Sequence, residues 1–223
     1  MSVDKQSKTQ IWDIYIRIFH WLLAVLVVIS YSSIRFFDNL ELHFISGFGI
    51  IGLLVFRIIW GVFGSETAKF VNFIKSPTQI YHYLKSLMHP SQHRATYGHS
   101  PLGALSVMAM LFILLFQVIS GLFYYDEDIF LSGPLAHYGT EQVNIIAQNY
   151  HPMGANIILA LVALHVLAIA VYFFIFKNNL ILPMITGWKA YKSEWTLNVN
   201  HIIALVCIIL AAILVAFIVF FAN

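Results

Sequence analysis

The sequence predicts an all-α integral membrane protein, in which a transmembrane bundle of four helices is followed by one additional C-terminal transmembrane helix. Of its 223 residues, 60% are hydrophobic and 10% are charged, and the mean hydropathy is +0.82. A soluble domain carries about 25% charged residues. Five apolar stretches are long enough to cross a hydrocarbon core of about 30 Å. We place them near residues 11–33, 42–63, 101–123, 150–176 and 199–221.

The distribution of Lys and Arg predicts the orientation of these spans. Eleven of the twelve basic residues fall on one side of the predicted spans. They lie near the start of the first span, near the end of the second, or in the loops that join the second span to the third and the fourth to the fifth. Only Arg35 falls on the opposite side. By the positive-inside rule the N-terminus is cytoplasmic and the C-terminus lies outside. No cleavage site of small residues follows the first apolar run, so we expect that run to remain as a span. No basic stripe with interleaved aromatic residues suggests a nucleic-acid partner.

Two histidines lie on one face of the fourth span. His165 follows His151 by fourteen residues, a step of about 1400°, within roughly 40° of a whole number of helical turns. The same step rises about 21 Å along the helix. Two imidazoles at two depths are what two haems stacked across a bilayer require, because each haem iron takes axial nitrogen ligands.

Two further histidines match these depths. His20 lies at the inner depth of the first span, and His43 lies at the outer start of the second. The topology therefore pairs His20 with His165 and His43 with His151, and predicts one bis-histidine haem site on each side of the membrane. A polar group within a span is costly unless it has a role. A hydrogen-bonded core residue would explain one such histidine alone, whereas four that pair by depth favour haem ligation. We interpret the remaining loop and interfacial histidines as surface residues: His82, His89, His93, His137 and His201.

Other residues fit these sites less specifically. Arg17 is the candidate for binding a haem propionate through its planar guanidinium, with Arg35 and Arg57 as weaker candidates, and membrane-edge anchoring is the simpler alternative. Small residues near the histidines would admit a flat macrocycle or would serve ordinary helix packing: Gly47, Gly49, Gly52, Gly154 and Ala155. The single cysteine, Cys207, excludes an intramolecular disulfide, thioether-linked haem and four-cysteine iron–sulfur clusters.

Local structure is predicted in two of the loops. A capped, amphipathic segment at 76–88 predicts a short helix in the cytoplasmic loop 64–98, either on the membrane surface or as a plain connector. The outer loop, 124–149, is expected to form a partial cap over the bundle.

The chain resembles the bacterial cytochrome b561 family, including the b-type cytochrome subunits of nickel–iron hydrogenases. The resemblance covers about residues 10–190, which we take as one membrane domain, with 199–221 outside it. The matching positions are Arg17-Ile18-Phe19-His20-Trp21, His43, Arg57-Ile58-Ile59-Trp60-Gly61, Gly98-His99-Ser100-Pro101-Leu102-Gly103-Ala104, His151, Asn156, His165, Asn179-Leu180 and Met184-Ile185-Thr186-Gly187. Trp188 departs from the basic or polar residue expected there, and the fifth span carries no histidine at haem depth.

The resemblance implies two b haems bound by His20, His43, His151 and His165, in a multi-pass protein of the bacterial cytoplasmic membrane. It also implies electron exchange between a quinone pool and a redox partner, which would be a c-type cytochrome or a dehydrogenase or hydrogenase subunit. His99, with Tyr97 nearby, is the candidate for proton exchange with quinone, and a structural hydrogen bond is the alternative for it.

Two alternative functions are open at this point. One is a membrane-anchor subunit of a hydrogenase or other dehydrogenase. The other, from a different class, is a transporter or structural membrane protein with a histidine proton relay. The fifth helix would contact lipid, a partner or a second copy of the chain in a homodimer.

Overall fold

The computed structural model describes residues 8–87, 98–128, 130–190 and 197–222. Its α-helices are α1 (Ile14–Arg35), α2 (Leu40–Phe63), α3 (Phe70–Phe73), α4 (Pro77–Leu87), α5 (Pro101–Leu122), α6 (Glu141–Phe174), α7 (Ile181–Thr186) and α8 (His201–Ala222). Its strands are β1 (Lys8–Gln10), β2 (Tyr125–Asp126), β3 (Leu131–Ser132) and β4 (Trp188–Ala190). Three residues named above lie outside the described ranges: His89, His93 and Tyr97. So do Met88, at the end of the predicted helix 76–88, and three of the basic residues counted above, Lys5, Arg94 and Lys192.

Five helices are long and apolar enough to cross a membrane, and they confirm the predicted all-α class. They are α1, α2, α5, α6 and α8. Polar side chains fix where several of them begin, because they accept hydrogen bonds from main-chain N–H groups that have no partner within the helix. Asp13 caps α1, Asn39 caps α2 and Ser100 caps α5, where Pro101 occupies the first turn.

The helix α6 is longer than the sequence suggested. It begins at Glu141, where Thr140 caps it, and runs for 34 residues. This corresponds to about 51 Å, well beyond a hydrocarbon core of about 30 Å. The expectation that residues 141–149 belong to the outer loop was wrong, because their polar side chains end the apolar stretch without ending the helix.

The transmembrane helices pack in a defined order. Helix α2 is central, in contact with α1, α5 and α8, while α5 also packs along α6. Buried residues from α1, α2, α5 and α6 form the core, with Trp60 fully buried among them. The fifth spanning helix, α8, packs on this bundle through Ala204, Cys207 and Ala211, which are also buried.

Short irregular elements close both ends of the bundle. At the end of the bundle where α1 begins, β1 pairs antiparallel with β4, and the carbonyl of Gly187, a residue with φ of +88°, accepts a hydrogen bond from Ile11 N–H. At the opposite end β2 pairs with β3, and a 3₁₀ turn at Ala136–Tyr138 precedes α6. The N–H of Leu135 donates to the Leu122 carbonyl at the end of α5, so this connection folds back onto the bundle.

The amphipathic helix predicted in the cytoplasmic loop is present as α4. Its Tyr83 hydroxyl lies 2.6 Å from the Tyr172 hydroxyl near the end of α6, which holds α4 against the bundle. Burial, followed by this contact, raises the pKa of Tyr83.

Candidate functional site

The structure brings the four histidines together in the pairs that their depths predict. The ring centroids of His20 on α1 and His165 on α6 lie 6.4 Å apart. Those of His43 on α2 and His151 on α6 lie 6.2 Å apart. The two pairs therefore lie at two levels along α6, each with one histidine from a neighbouring helix.

These separations suit a metal held between two imidazoles. A metal–imidazole nitrogen bond is about 2 Å long and the nitrogen lies about 1.1 Å from its ring centroid, so two rings on opposite sides of one iron have centroids about 6.2 Å apart. No group of three or more His, Cys, Asp or Glu residues that could hold a bare metal ion occurs within the described ranges. Two imidazoles per site match the axial positions of a haem, whose macrocycle supplies the other ligands.

Main-chain carbonyls set the tautomer of the outer pair. The Nδ1 of His43 lies 2.9 Å from the Ser30 carbonyl oxygen, and the Nδ1 of His151 lies 3.0 Å from the Gln117 carbonyl oxygen. Since a carbonyl can only accept, each Nδ1 carries the proton and each Nε2 keeps its lone pair for a metal. The sequence reasoning missed Ser30 and Gln117, whose polar side chains within apolar spans were the available signal.

A cavity of about 580 Å³ adjoins the outer pair. Residues of α1, α2, α5 and α6 line it, and its volume is typical of a ligand site, for which about 300–1,000 Å³ is usual. Gly47 lies on its wall with open space where a Cβ would be, and Ala155 also lines it. Gly121, which the sequence reasoning missed, lies against the His151 ring, since an added Cβ would come 2.8 Å from that ring.

The other small residues expected near the macrocycle serve helix packing. A Cβ on Gly49 would meet Leu26 of α1, and one on Gly52 would meet Val215 of α8. A Cβ on Gly154 would meet the side chain of Gln117. Only part of this glycine pattern therefore faces the cavity.

Two polar atoms on α1, at or close to the inner pair, have no hydrogen-bond partner. The Nδ1 of His20 is buried without a hydrogen-bond partner, and so is the Nε of Arg17. Arg17 donates from Nη1 to the Ile185 carbonyl at the end of α7. The donor groups that remain on this guanidinium are available to a carboxylate.

His99 is fully buried just before the start of α5. Its ring lies 4.6 Å from that of Trp12 and 4.7 Å from that of Phe73, between centroids, and its Nδ1 has no partner. Burial lowers the pKa of His99 to about 3, helped by the positive charges of Arg57, His165 and His20. His99 therefore lies near the inner pair and is neutral at physiological pH.

The histidines interpreted as surface residues are exposed where the structure describes them. His82 and His137 have exposed side chains. His201 is also exposed, and its Nδ1 lies 2.8 Å from the Tyr15 hydroxyl. These residues lie outside the two pairs.

Apolar spanning helices that enclose opposed histidine pairs define the architecture of a membrane cytochrome of the b type. The family described as prokaryotic cytochrome b561 matches residues 11–187, and the chain belongs to this family. The chain is also similar to the probable Ni/Fe-hydrogenase B-type cytochrome subunit of Azotobacter chroococcum mcd 1, with 21% identity over 86% of this chain and 93% of that protein. No solved structure matches the chain.

The family sets the general function. The protein is a multi-pass membrane cytochrome that carries haem b and takes part in electron transfer. This family membership favours the cytochrome over the transporter or structural alternative.

Proposed function

We propose that the protein binds two haems b and passes electrons through the membrane between a quinone pool and a redox partner protein. His20 and His165 would hold the inner haem iron, and His43 and His151 the outer one. The observation that carries this proposal is the repeated separation of 6.4 Å and 6.2 Å between ring centroids, at two levels along one helix.

The chain's own residues would keep the chemistry to electron transfer. Bound haem supplies a one-electron iron couple. With two histidines to hold each iron, no position would be left open to a substrate. The carbonyls of Ser30 and Gln117 hold the outer histidines in the required tautomer and increase the basicity of their Nε2 atoms. The apolar residues of the bundle keep water from the sites.

Quinone exchange is proposed at the cytoplasmic end. His99 lies near the inner pair, and its buried Nδ1, which has no partner, is proposed to hydrogen-bond a quinone. Arg17, three residues before His20 and with its Nε unpartnered, is proposed to bind a propionate of the inner haem.

The partner is proposed to be the electron-transferring subunit of a hydrogenase or a related dehydrogenase. The similarity to a protein named as a hydrogenase cytochrome subunit favours this over a c-type cytochrome. The distribution of basic residues supports a cytoplasmic N-terminus and a periplasmic C-terminus.

The haem content of the purified chain tests the proposal. Protein made with ample haem should contain two non-covalent haems per chain in a pyridine haemochrome assay, and all of this haem should be extracted by acidified organic solvent. One haem or none per chain would contradict the two-site proposal. Co-purification of a large redox subunit would support the hydrogenase or dehydrogenase partner.

A further inference from the structure

Arg57 repeats on α2 the spacing of the paired histidines on α6. It follows His43 by fourteen residues, as His165 follows His151. This step is within roughly 40° of whole helical turns and rises about 21 Å. Arg57 therefore lies on the His43 side of α2 at the level of the inner histidine pair.

The guanidinium of Arg57 is buried, and the Asp13 carboxylate acts on it only from beyond salt-bridge distance. The residue is 3% exposed and its Nη1 has no hydrogen-bond partner. Its central carbon lies 4.6 Å from the Phe70 ring centroid and 5.8 Å from that of Phe73. Among the residues that the structure describes, no carboxylate lies within salt-bridge distance of Arg57. A buried charge is costly unless its donors are paired, so the unpaired Nη1 favours an anion in direct contact.

The buried acid at this end of the bundle is already satisfied. Asp13 is fully buried and accepts hydrogen bonds from the Ile16 N–H, the Trp60 indole N–H and the Ser65 hydroxyl. These neutral donors stabilise its carboxylate in place. The guanidinium of Arg57 thus keeps donors for a second carboxylate.

A second unpartnered donor lies at the same end of the bundle. Thr67 is 7% exposed and its hydroxyl has no hydrogen-bond partner. Gly98 lies beside both Thr67 and Trp12, because a Cβ added to Gly98 would be 3.9 Å from Thr67 and 4.0 Å from Trp12. Trp12 in turn packs against His99. Thr67 therefore lies in the same cluster of side chains as His99, whose ring also packs on Phe73 beneath Arg57.

We propose that Arg57 binds one propionate of the inner haem, with the Thr67 hydroxyl as a second donor. This inference rests on the proposed binding of haem by His20 and His165. A guanidinium fork matches a carboxylate in shape and charge, and haem brings two carboxylates to this level of the bundle. Arg17, on α1, would then hold the other propionate.

The test compares two Arg57 variants and Thr67→Val with the wild-type protein. Oxidised haem carries one more positive charge than reduced haem. Removing a nearby positive charge therefore stabilises the oxidised state relative to the reduced one, and Arg57→Gln should lower the reduction potential of the inner haem. We expect a shift of at least tenfold in the reduction equilibrium, about 59 mV for one electron. Arg57→Lys, which keeps the charge and loses the fork, should shift it less, as should Thr67→Val.

A vibrational readout separates direct contact from a charge acting at a distance. The propionate bending bands of the inner haem in resonance Raman spectra should change in all three variants, while the outer haem stays at its wild-type potential and reports correct folding. Lys69→Gln removes a cytoplasmic cation that already pairs with Glu66 at 3.1 Å and should change neither readout.

Each other outcome has a distinct meaning. Wild-type potentials and propionate bands in Arg57→Lys and Thr67→Val would overturn the inference, even if Arg57→Gln failed to assemble. Slower quinol oxidation with both potentials unchanged would also overturn it and assign Arg57 to quinone. Absence of an inner haem from the wild-type protein would instead contradict the proposed function on which the inference rests.

Discussion

The Nδ1 of His151 donates a hydrogen bond to the main-chain carbonyl of Gln117, 3.0 Å away, and so links α6 to α5. The acceptor belongs to the backbone, so side-chain substitution at Gln117 leaves it in place. The bond leaves the Nε2 of His151 directed to other partners, and in the structure the Gln117 side-chain nitrogen lies 3.3 Å from it. The fold itself thus orients the proposed outer ligand, a form of preorganisation that favours binding.

Removal of single histidines should affect the haems in pairs. His20→Ala and His165→Ala should both lose the inner haem, about half of the total, because one imidazole cannot replace two axial ligands. His43→Ala and His151→Ala should both lose the outer haem. Redox titration with visible spectra should show the same remaining component for both members of a pair.

The exposed His82 provides the control for these variants. His82→Ala should keep both haems, since its side chain lies in α4 away from both pairs. If His20→Ala matched His43→Ala and differed from His165→Ala, the proposed pairing would be wrong.

Added bulk at Gly47 should displace the outer haem alone. A side chain there would enter the cavity, where no atom lies within 4 Å of the Cβ position. Overpacking costs about 1–3 kcal/mol, which corresponds to haem binding weaker by roughly fivefold to a hundredfold. Gly47→Leu should therefore retain the inner haem and lose most of the outer one in a haem titration.

A bulky substitution on the lipid-facing side of the same helix is the matched control. Ile45 is 60% exposed, so Ile45→Phe should leave both haems bound. Equal haem loss in the two variants would show that the effect comes from helix α2 as a whole and not from the cavity.

The sequence predicted the features that follow from helical period and hydropathy. Five spans and the histidine pairs depend only on 3.6 residues per turn and on polar residues in apolar segments. The partners of those histidines were harder to predict, because the acceptors are backbone carbonyls, which every residue carries, and only the polar side chains of Ser30 and Gln117 marked their positions. The β1–β4 pairing was missed because it joins two short segments far apart in the chain.

The buried His99 should make stability fall in acid. The unfolded chain binds a proton at this residue below its ordinary pKa of 6.5, whereas the folded chain does so only near a pKa of about 3. Its contribution to the free energy of unfolding is complete above pH 6.5 and falls by about 1.4 kcal/mol per pH unit below that, towards pH 3.

Replacing His99 with phenylalanine isolates this contribution. Thermal unfolding of the detergent-solubilised protein should depend less on pH between 6.5 and 4.5 in His99→Phe than in the wild type. The difference between the two proteins removes the contributions of the other histidines. Parallel pH profiles would contradict a buried, neutral His99.

Reporter insertions should give the orientation. A reporter active only in the cytoplasm should work near Gln92, which lies outside the described residues, and should fail on the outer side. Gly139 is a poor outer site, because it precedes the cap of α6 and an added Cβ would clash with Asn144. The exposed turn at Glu127 and Asp128, between β2 and β3, is a better one. The reverse pattern would exchange the inner and outer assignments.

Removal of the fifth spanning helix should leave both haem sites intact. None of the paired histidines lies on α8, and the residues that line the outer cavity come from the preceding helices and the outer loop. A chain truncated after Lys192 should therefore insert and bind two haems. It should unfold at a lower temperature, because truncation exposes the face of α2 that packs against Ala204 and Ala211.

A bulky substitution in the α2–α8 contact tests how α8 packing contributes to stability, separately from any role of α8 in association. Ala211→Phe adds a large side chain at a position 5% exposed and should destabilise the full-length protein, as truncation does, while both haems stay bound.

The outward face of α8 is apolar, with Ile202 75% exposed, so truncation should also abolish association with a partner or with a second copy. Native mass spectrometry and co-purification measure that association. Haem loss on truncation would place α8 in the haem-binding core, whereas unchanged mass and co-purification would confine its role to packing on α2 and contact with lipid.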